Sequence, residues 1–64
     1  MTAKKTLPER EAELRALLAT PAGREELRTL ESRYVAAGAP FRPGRTSVIT
    51  YILVHERTRG LIAG

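Results

Sequence analysis

The stretch Gly44 to Gly60, GRTSVITYILVHERTRG, decides the fold. It opens as a small basic loop, passes through a run dominated by Val, Ile, Tyr and Leu, and ends in a cluster of charge. By residue type alone Val48, Ile49, Thr50, Tyr51, Ile52 and Val54 favour a β-strand. A strand needs a partner, however, and the rest of the chain offers no second β-rich apolar run. A lone strand would leave a row of backbone N–H and C=O groups unbonded.

The helical reading explains more of the surroundings. Thr46 or Ser47 supplies an N-cap, Arg57 and Arg59 fall in the last turn where cations suit the helix dipole, and Gly60 followed by Leu61 fits a Schellman ending. At 100° per residue Val48, Ile49, Ile52 and Leu53 cover an arc of about 140°, widened by Tyr51 and Val54. The spacing therefore predicts a third helix that is apolar on more than one side. An intermolecular β-ribbon is the alternative.

Working back towards the N-terminus, Gly38 to Arg45, GAPFRPGR, holds two prolines and two glycines and reads as a loop. Phe41 within it is expected to plug an edge of the core. Before it, Thr20-Pro21 is a helix start, with Glu25 and Glu26 placed in the first turn and Leu27, Leu30, Tyr34 and Ala37 forming a stripe that Gly38 ends. The first helix opens at Thr6-Leu7-Pro8-Glu9, a T-x-x-E capping box with Pro in the first turn, and runs from Leu7 to about Ala19. Leu7, Leu14, Leu17 and Leu18 share its apolar face, with Arg10, Glu13 and Arg15 outside it. The joint between these two helices is short, so they are expected to form an antiparallel hairpin or a steeply crossed corner.

The expected fold class is thus all-α: a small three-helix domain over residues 7–62, a helical hairpin plus a third apolar helix, preceded by a flexible basic arm over residues 1–6. At 64 residues there is room for one domain, near the lower limit for unaided folding. With no cysteine there is no disulfide, and with a single His no structural zinc site. A third helix apolar nearly all round wants cover on more than one side, which favours a homodimer through Val48, Ile49, Ile52, Leu53, Leu61 and Ile62. The alternative is a compact monomer with the third helix at its centre. No 18-residue apolar run exists and the N-terminus is polar, so a cytoplasmic protein is expected.

Charge is placed unevenly. Residues 1–32 balance six Lys/Arg against six Glu, whereas residues 33–64 set five arginines against Glu56 alone, so the whole net charge of +4 lies in the second half. Clustered cations gain affinity for phosphates by releasing counterions, which points to nucleic acid, DNA before RNA. The candidate contacts are Arg33, Arg42, Arg45, Thr46, Ser47, Arg57 and Arg59, with Lys4 and Lys5 adding nonspecific attraction. Gly44-Arg45-Thr46-Ser47, just before a helix, is an arrangement in which backbone N–H groups and a guanidinium can meet a phosphate, or in which a hydroxyl simply caps the helix. Arg42-Pro43-Gly44-Arg45 pairs Arg with Gly as minor-groove arms do, but in another order, and a rigid proline turn explains it as well.

Other sites find less support. No P-loop is present, because the glycine spacing is wrong and Arg45 stands where Lys is required. A helix-turn-helix placement fails on the acidic face of the second helix, with Glu25, Glu26 and Glu31, and on the Val48-Ile49 lead of the third. His55 has no second ligand at helical spacing, so no metal, cofactor or catalytic group is expected and the chain reads as a non-enzyme, with His55 a surface residue at the helix end. The rival function is a protein interaction module or accessory subunit docking through the apolar third helix.

Overall fold

A computed structural model describes residues 4–63. Among them are three helices, α1 (Leu7–Leu17), α2 (Pro21–Ala36) and α3 (Val48–Thr58), and no strand beyond a single parallel bridge between Thr6 and Ala63. The apolar run after Ser47 is therefore a helix, and the fold is all-α.

Each helix begins where its hydroxyl cap stands. The Thr6 hydroxyl accepts from Glu9 N at 3.3 Å while the Glu9 carboxylate accepts from Thr6 N at 3.0 Å, completing the capping box. Thr20 caps α2 by accepting from Gly23 N at 3.0 Å, and Ser47, rather than Thr46, caps α3 by accepting from Thr50 N at 3.1 Å. Glu25 and Glu26 lie beyond the first turn of α2, which contains no acid. α1 ends at Leu17, two residues short of Ala19.

Two helices end the same way. At α2, Ala39 N donates to Tyr34 O and Gly38 N to Val35 O, with Gly38 at φ 101°; at α3, Leu61 N donates to Glu56 O and Gly60 N to Arg57 O, with Gly60 at φ 73°. Both are Schellman endings, and glycine suits each because a left-handed residue with a Cβ is strained.

The helices do not simply zigzag. α2 and α3 meet in a constant offset, Tyr34 with Glu56 and Ala37 with Arg59, so they run parallel, and the chain from Ala37 to Ser47 is a crossover that returns along them. α1 runs counter to both, with Arg10 on Glu56 and, at its start, Lys5 O accepting from Ala63 N at 2.8 Å. Residues 4–6 are thus tied by that bond, by the Lys5–Glu13 ion pair and by the Thr6 cap. Met1, Thr2 and Ala3, the rest of the expected arm, lie outside the described residues.

Gly23 makes the α1–α2 joint possible. It is buried against the end of α1, and a Cβ there would lie 2.7 Å from both Cα and the carbonyl carbon of Leu17, closer still to the oxygen. These are backbone atoms that cannot step aside.

The core consists of Leu14, Leu27, Ile49, Tyr51, Ile52, Leu53 and Ile62, with Leu14 and Ile52 fully inaccessible. This corrects the expected interface. Ile49, Ile52, Leu53 and Ile62 are covered by the chain's own helices, because α1 and α2 approach α3 from two sides and the crossover loop approaches from a third. Of the six residues expected to meet another molecule, Val48 keeps partial access and only Leu61 is well exposed. Two further expectations fail: Leu18 is 43% exposed, and Phe41 projects at 82% exposure instead of plugging the core.

Candidate functional site

The residues expected to meet an anion divide into two groups at opposite ends of α3, roughly 16 Å apart for an 11-residue helix. Near its N-terminus, Arg42 donates to the Glu31 carboxylate and to Thr46 O, Thr46 N donates to Pro43 O, and the Ser47 hydroxyl is taken up with Thr50. The Gly44–Ser47 segment is therefore a capped turn, and Arg45 alone of the group is exposed with no acid partner among the described residues. Near the other end, Arg33 and Arg57 are exposed and likewise without an acid, while Arg59 donates to Ala37 O at 3.2 Å. Lys4 joins them, its Nζ 3.8 Å from where a Cβ on Gly60 would stand.

The carboxylates account for this division. Glu9 closes the capping box, and Glu11, Glu13, Glu25, Glu31 and Glu56 pair with Arg15, Lys5 and Arg10, Arg28, Arg42 and Arg10 respectively. Lys4, Arg24, Arg33, Arg45, Arg57 and Arg59 remain without an acidic partner among the described residues. Arg24 adds to the N-terminal group.

Between the two groups lies an apolar groove of about 560 Å³. One wall is the crossover loop, Ala39 to Phe41 with Pro43; the other is the outer face of α3, where Thr50, Val54 and Thr58 repeat every four residues. No carboxylate lines it. Phe41 and Val54, 82% and 58% exposed, give it an accessible apolar lining. Tyr51 also lines it, and its hydroxyl is buried with no hydrogen-bond partner among the described residues. A buried hydroxyl without a partner is uncommon enough to need a reason.

His55 is half-buried at the groove's far end rather than free on the surface, its ring 4.3 Å from that of Tyr34 and tilted by 34°. Behind it is a polar cluster that the sequence reading missed. Glu56 is only 3% exposed and accepts from Arg10 Nε at 2.8 Å, from Arg10 Nη2 at 2.9 Å and from the Tyr34 hydroxyl at 2.5 Å. Burial pushes the Glu56 carboxyl up, but the hydrogen bonds from Arg10 and Tyr34 outweigh it and hold the group below the ordinary Glu value. Arg10 is correspondingly raised by its bonds to Glu56. Tyr34 is pushed up to about 12, first by burial and then by its bond to the carboxylate. Three donors on one ionised carboxylate leave it no proton to give at neutral pH, so the cluster pins helices together. A signal was available: Glu56 stands seven residues after Ile49 and four after Ile52, on the buried face.

No group of three His, Cys, Asp or Glu among the described residues is placed to hold a metal ion, and no helix among them is long and apolar enough to cross a membrane. No protein-family model matches the chain, and no curated protein or solved structure matches it.

Proposed function

We propose that this chain is a small cytoplasmic protein that binds nucleic acid without catalysing a reaction, through phosphate contacts made by Arg33, Arg45, Arg57 and Arg59. The observation that supports this reading is the distribution of ion pairs. Acids of the first half pair with Lys5, Arg10, Arg15, Arg28 and Arg42, and Arg33, Arg45, Arg57 and Arg59, left without an acid, stand in water at the two ends of α3. Exposed guanidiniums with no acidic partner release counterions when they meet phosphates.

Arg42 is reassigned by its bonds to a holding role for the loop. Thr46 and Ser47 shape the turn that presents Arg45. The rival reading, docking of a protein or a second copy through the apolar face of α3, loses most of its surface to the core, since only Val48 and Leu61 of its six residues retain access.

The test is anisotropy of labelled single- and double-stranded DNA titrated with the protein between low and physiological salt. Four to six phosphate contacts predict a slope of log K against log salt of about −3 to −5. Absence of binding at low salt to either form would end the proposal.

A further inference from the structure

We infer that the groove between the crossover loop and α3 seats unstacked bases of a single-stranded nucleic acid, with Phe41 as the stacking surface. This rests on the nucleic-acid reading above and adds the form of the strand and the place where its bases go.

Three independent features meet in the groove. The first is Phe41, a ring 82% exposed on a loop stiffened by prolines at positions 40 and 43. An aromatic face presented to water at little conformational cost is the element on which bases stack, and every base has a face to offer. The second is Tyr51, a side chain more than nine-tenths buried that lines the groove and whose hydroxyl has no partner among the described residues. Base edges carry donors and acceptors that a hydrocarbon occupant lacks. The third is charge. The groove has no carboxylate, and arginines without acid partners are the chain neighbours of its lining at each end: Arg45 precedes Thr46, and Arg57 and Arg59 flank Thr58. An occupant that is anionic along its length and flat and apolar in between matches all three.

Other occupants match fewer. Duplex DNA hides its bases' faces, and direct reading in the major groove takes a projecting helix or β-ribbon. Here the outer face of α3 is one wall of a concavity behind the loop, so a duplex reaches the rim arginines and nothing else. A second copy of this chain would bring its own arginines against these, at +4 per copy. An acidic protein segment satisfies the charge without using an exposed aromatic face, and it enters the test as a competing outcome.

The experiment compares three probes by fluorescence anisotropy at low salt: labelled oligothymidylate and oligouridylate of about twelve nucleotides, and a mixed-sequence duplex of similar length. Heparin, a polyanion without bases, serves as competitor. The wild-type protein should bind at least one of the single strands roughly tenfold or more tighter than the duplex, and the two single strands separate DNA from RNA as the source. Phe41→Ala should weaken single-strand binding by roughly tenfold or more, as loss of base stacking does, while the heparin affinity stays within about twofold. Phe41→Trp should restore it. Tyr51→Phe, which removes only the oxygen, should weaken single-strand binding by about three- to tenfold. Because Phe41 is exposed, Phe41→Ala should fold normally, which a circular-dichroism melt verifies.

Equal affinity for duplex and single strands, or a Phe41→Ala variant weakened equally towards heparin and the oligonucleotides, overturns the groove assignment while leaving the electrostatic reading standing. Absence of binding to all three probes overturns both. Phe41-dependent binding of an Asp/Glu-flanked leucine peptide, with no binding of oligonucleotides, overturns the assignment in favour of a protein partner.

Discussion

Arg10 on the first helix and Glu56 on the third, 46 residues apart in sequence, are joined by two parallel hydrogen bonds of 2.8 and 2.9 Å, and the Tyr34 hydroxyl of the second helix closes on the same carboxylate. One buried charge thus touches all three helices. In a chain of this size, with an expected stability of only about 3–10 kcal/mol, breaking such a link removes a large share of the total.

Glu56→Ala leaves Arg10 and the Tyr34 hydroxyl without their acceptor. It should cost about 3 kcal/mol, read from the urea midpoint. The double variant Arg10→Met, Glu56→Leu should be distinctly more stable than the sum of its parts, because no charge is then stranded. Strict additivity in this cycle would mean that the two groups do not act as a pair.

The same cluster sets the pH response. Glu56 binds its proton less readily folded than unfolded, so its contribution is present above the unfolded value near 4.5 and disappears as pH falls through the lowered native value. Glu9, held down by bonds from Thr6, and Glu13, held down by Lys5 and Arg10, act in the same direction. Tyr34 works at the other extreme: its contribution is present below pH 10 and lost as pH rises through about 12. Urea midpoints should therefore fall on acidification below about pH 5 and again in strong alkali. Glu56→Gln should flatten, without abolishing, the acid limb.

Gly23→Ala should destabilise the protein by about 1–3 kcal/mol despite the better helix propensity of Ala, because the added methyl meets the Leu17 backbone. Gly44→Ala is the contrast. A Cβ there meets nothing within 4 Å and the residue does not have a positive φ, so the variant should be neutral or up to about 1 kcal/mol more stable. Thermal melts of the pair check both.

Large apolar residues should separate by position rather than by size. Ile52→Ala empties a fully buried site and should cost about 2–5 kcal/mol, enough to unfold much of the population. Phe41→Ala, at 82% exposure, should stay within about 0.5 kcal/mol of wild type in a denaturant titration.

The arginines should divide by whether they have an internal partner. Arg45→Ala and Arg57→Ala should each reduce the salt slope of nucleic-acid binding by about 1, since each removes one phosphate contact. Arg42→Ala, which loses Glu31 and Thr46 O instead, should change the slope little and lower the melting temperature slightly.

Much of the fold was legible because its punctuation is local. The Thr6 and Thr20 caps, the prolines that follow them, and Gly38 and Gly60 at the helix ends act within one turn, and each occurs where the spacing put it. The α3 cap was narrowed to two residues, and the structure chose Ser47. The site was less legible. Arg10 read as lying outside the apolar face and Glu56 entered only the charge count, because a helix face becomes buried only through what packs on it, and Phe41 read as core because it is large and apolar.

By itself the sequence determined where the helices start and stop and that the cationic surplus lies in the second half. These follow from hydrogen bonds between near neighbours and from counting charge. Tertiary structure alone decided that α2 and α3 run parallel, that the oily side of α3 is covered within one chain, that Glu56 is buried with its clamp, and that Phe41 and Tyr51 share a groove. Those outcomes depend on which surfaces exclude water from one another, and residues as distant as Arg10 and Glu56 contribute to that, so a local pattern such as Glu56 sharing the face of Ile49 and Ile52 hints at burial without naming the partners.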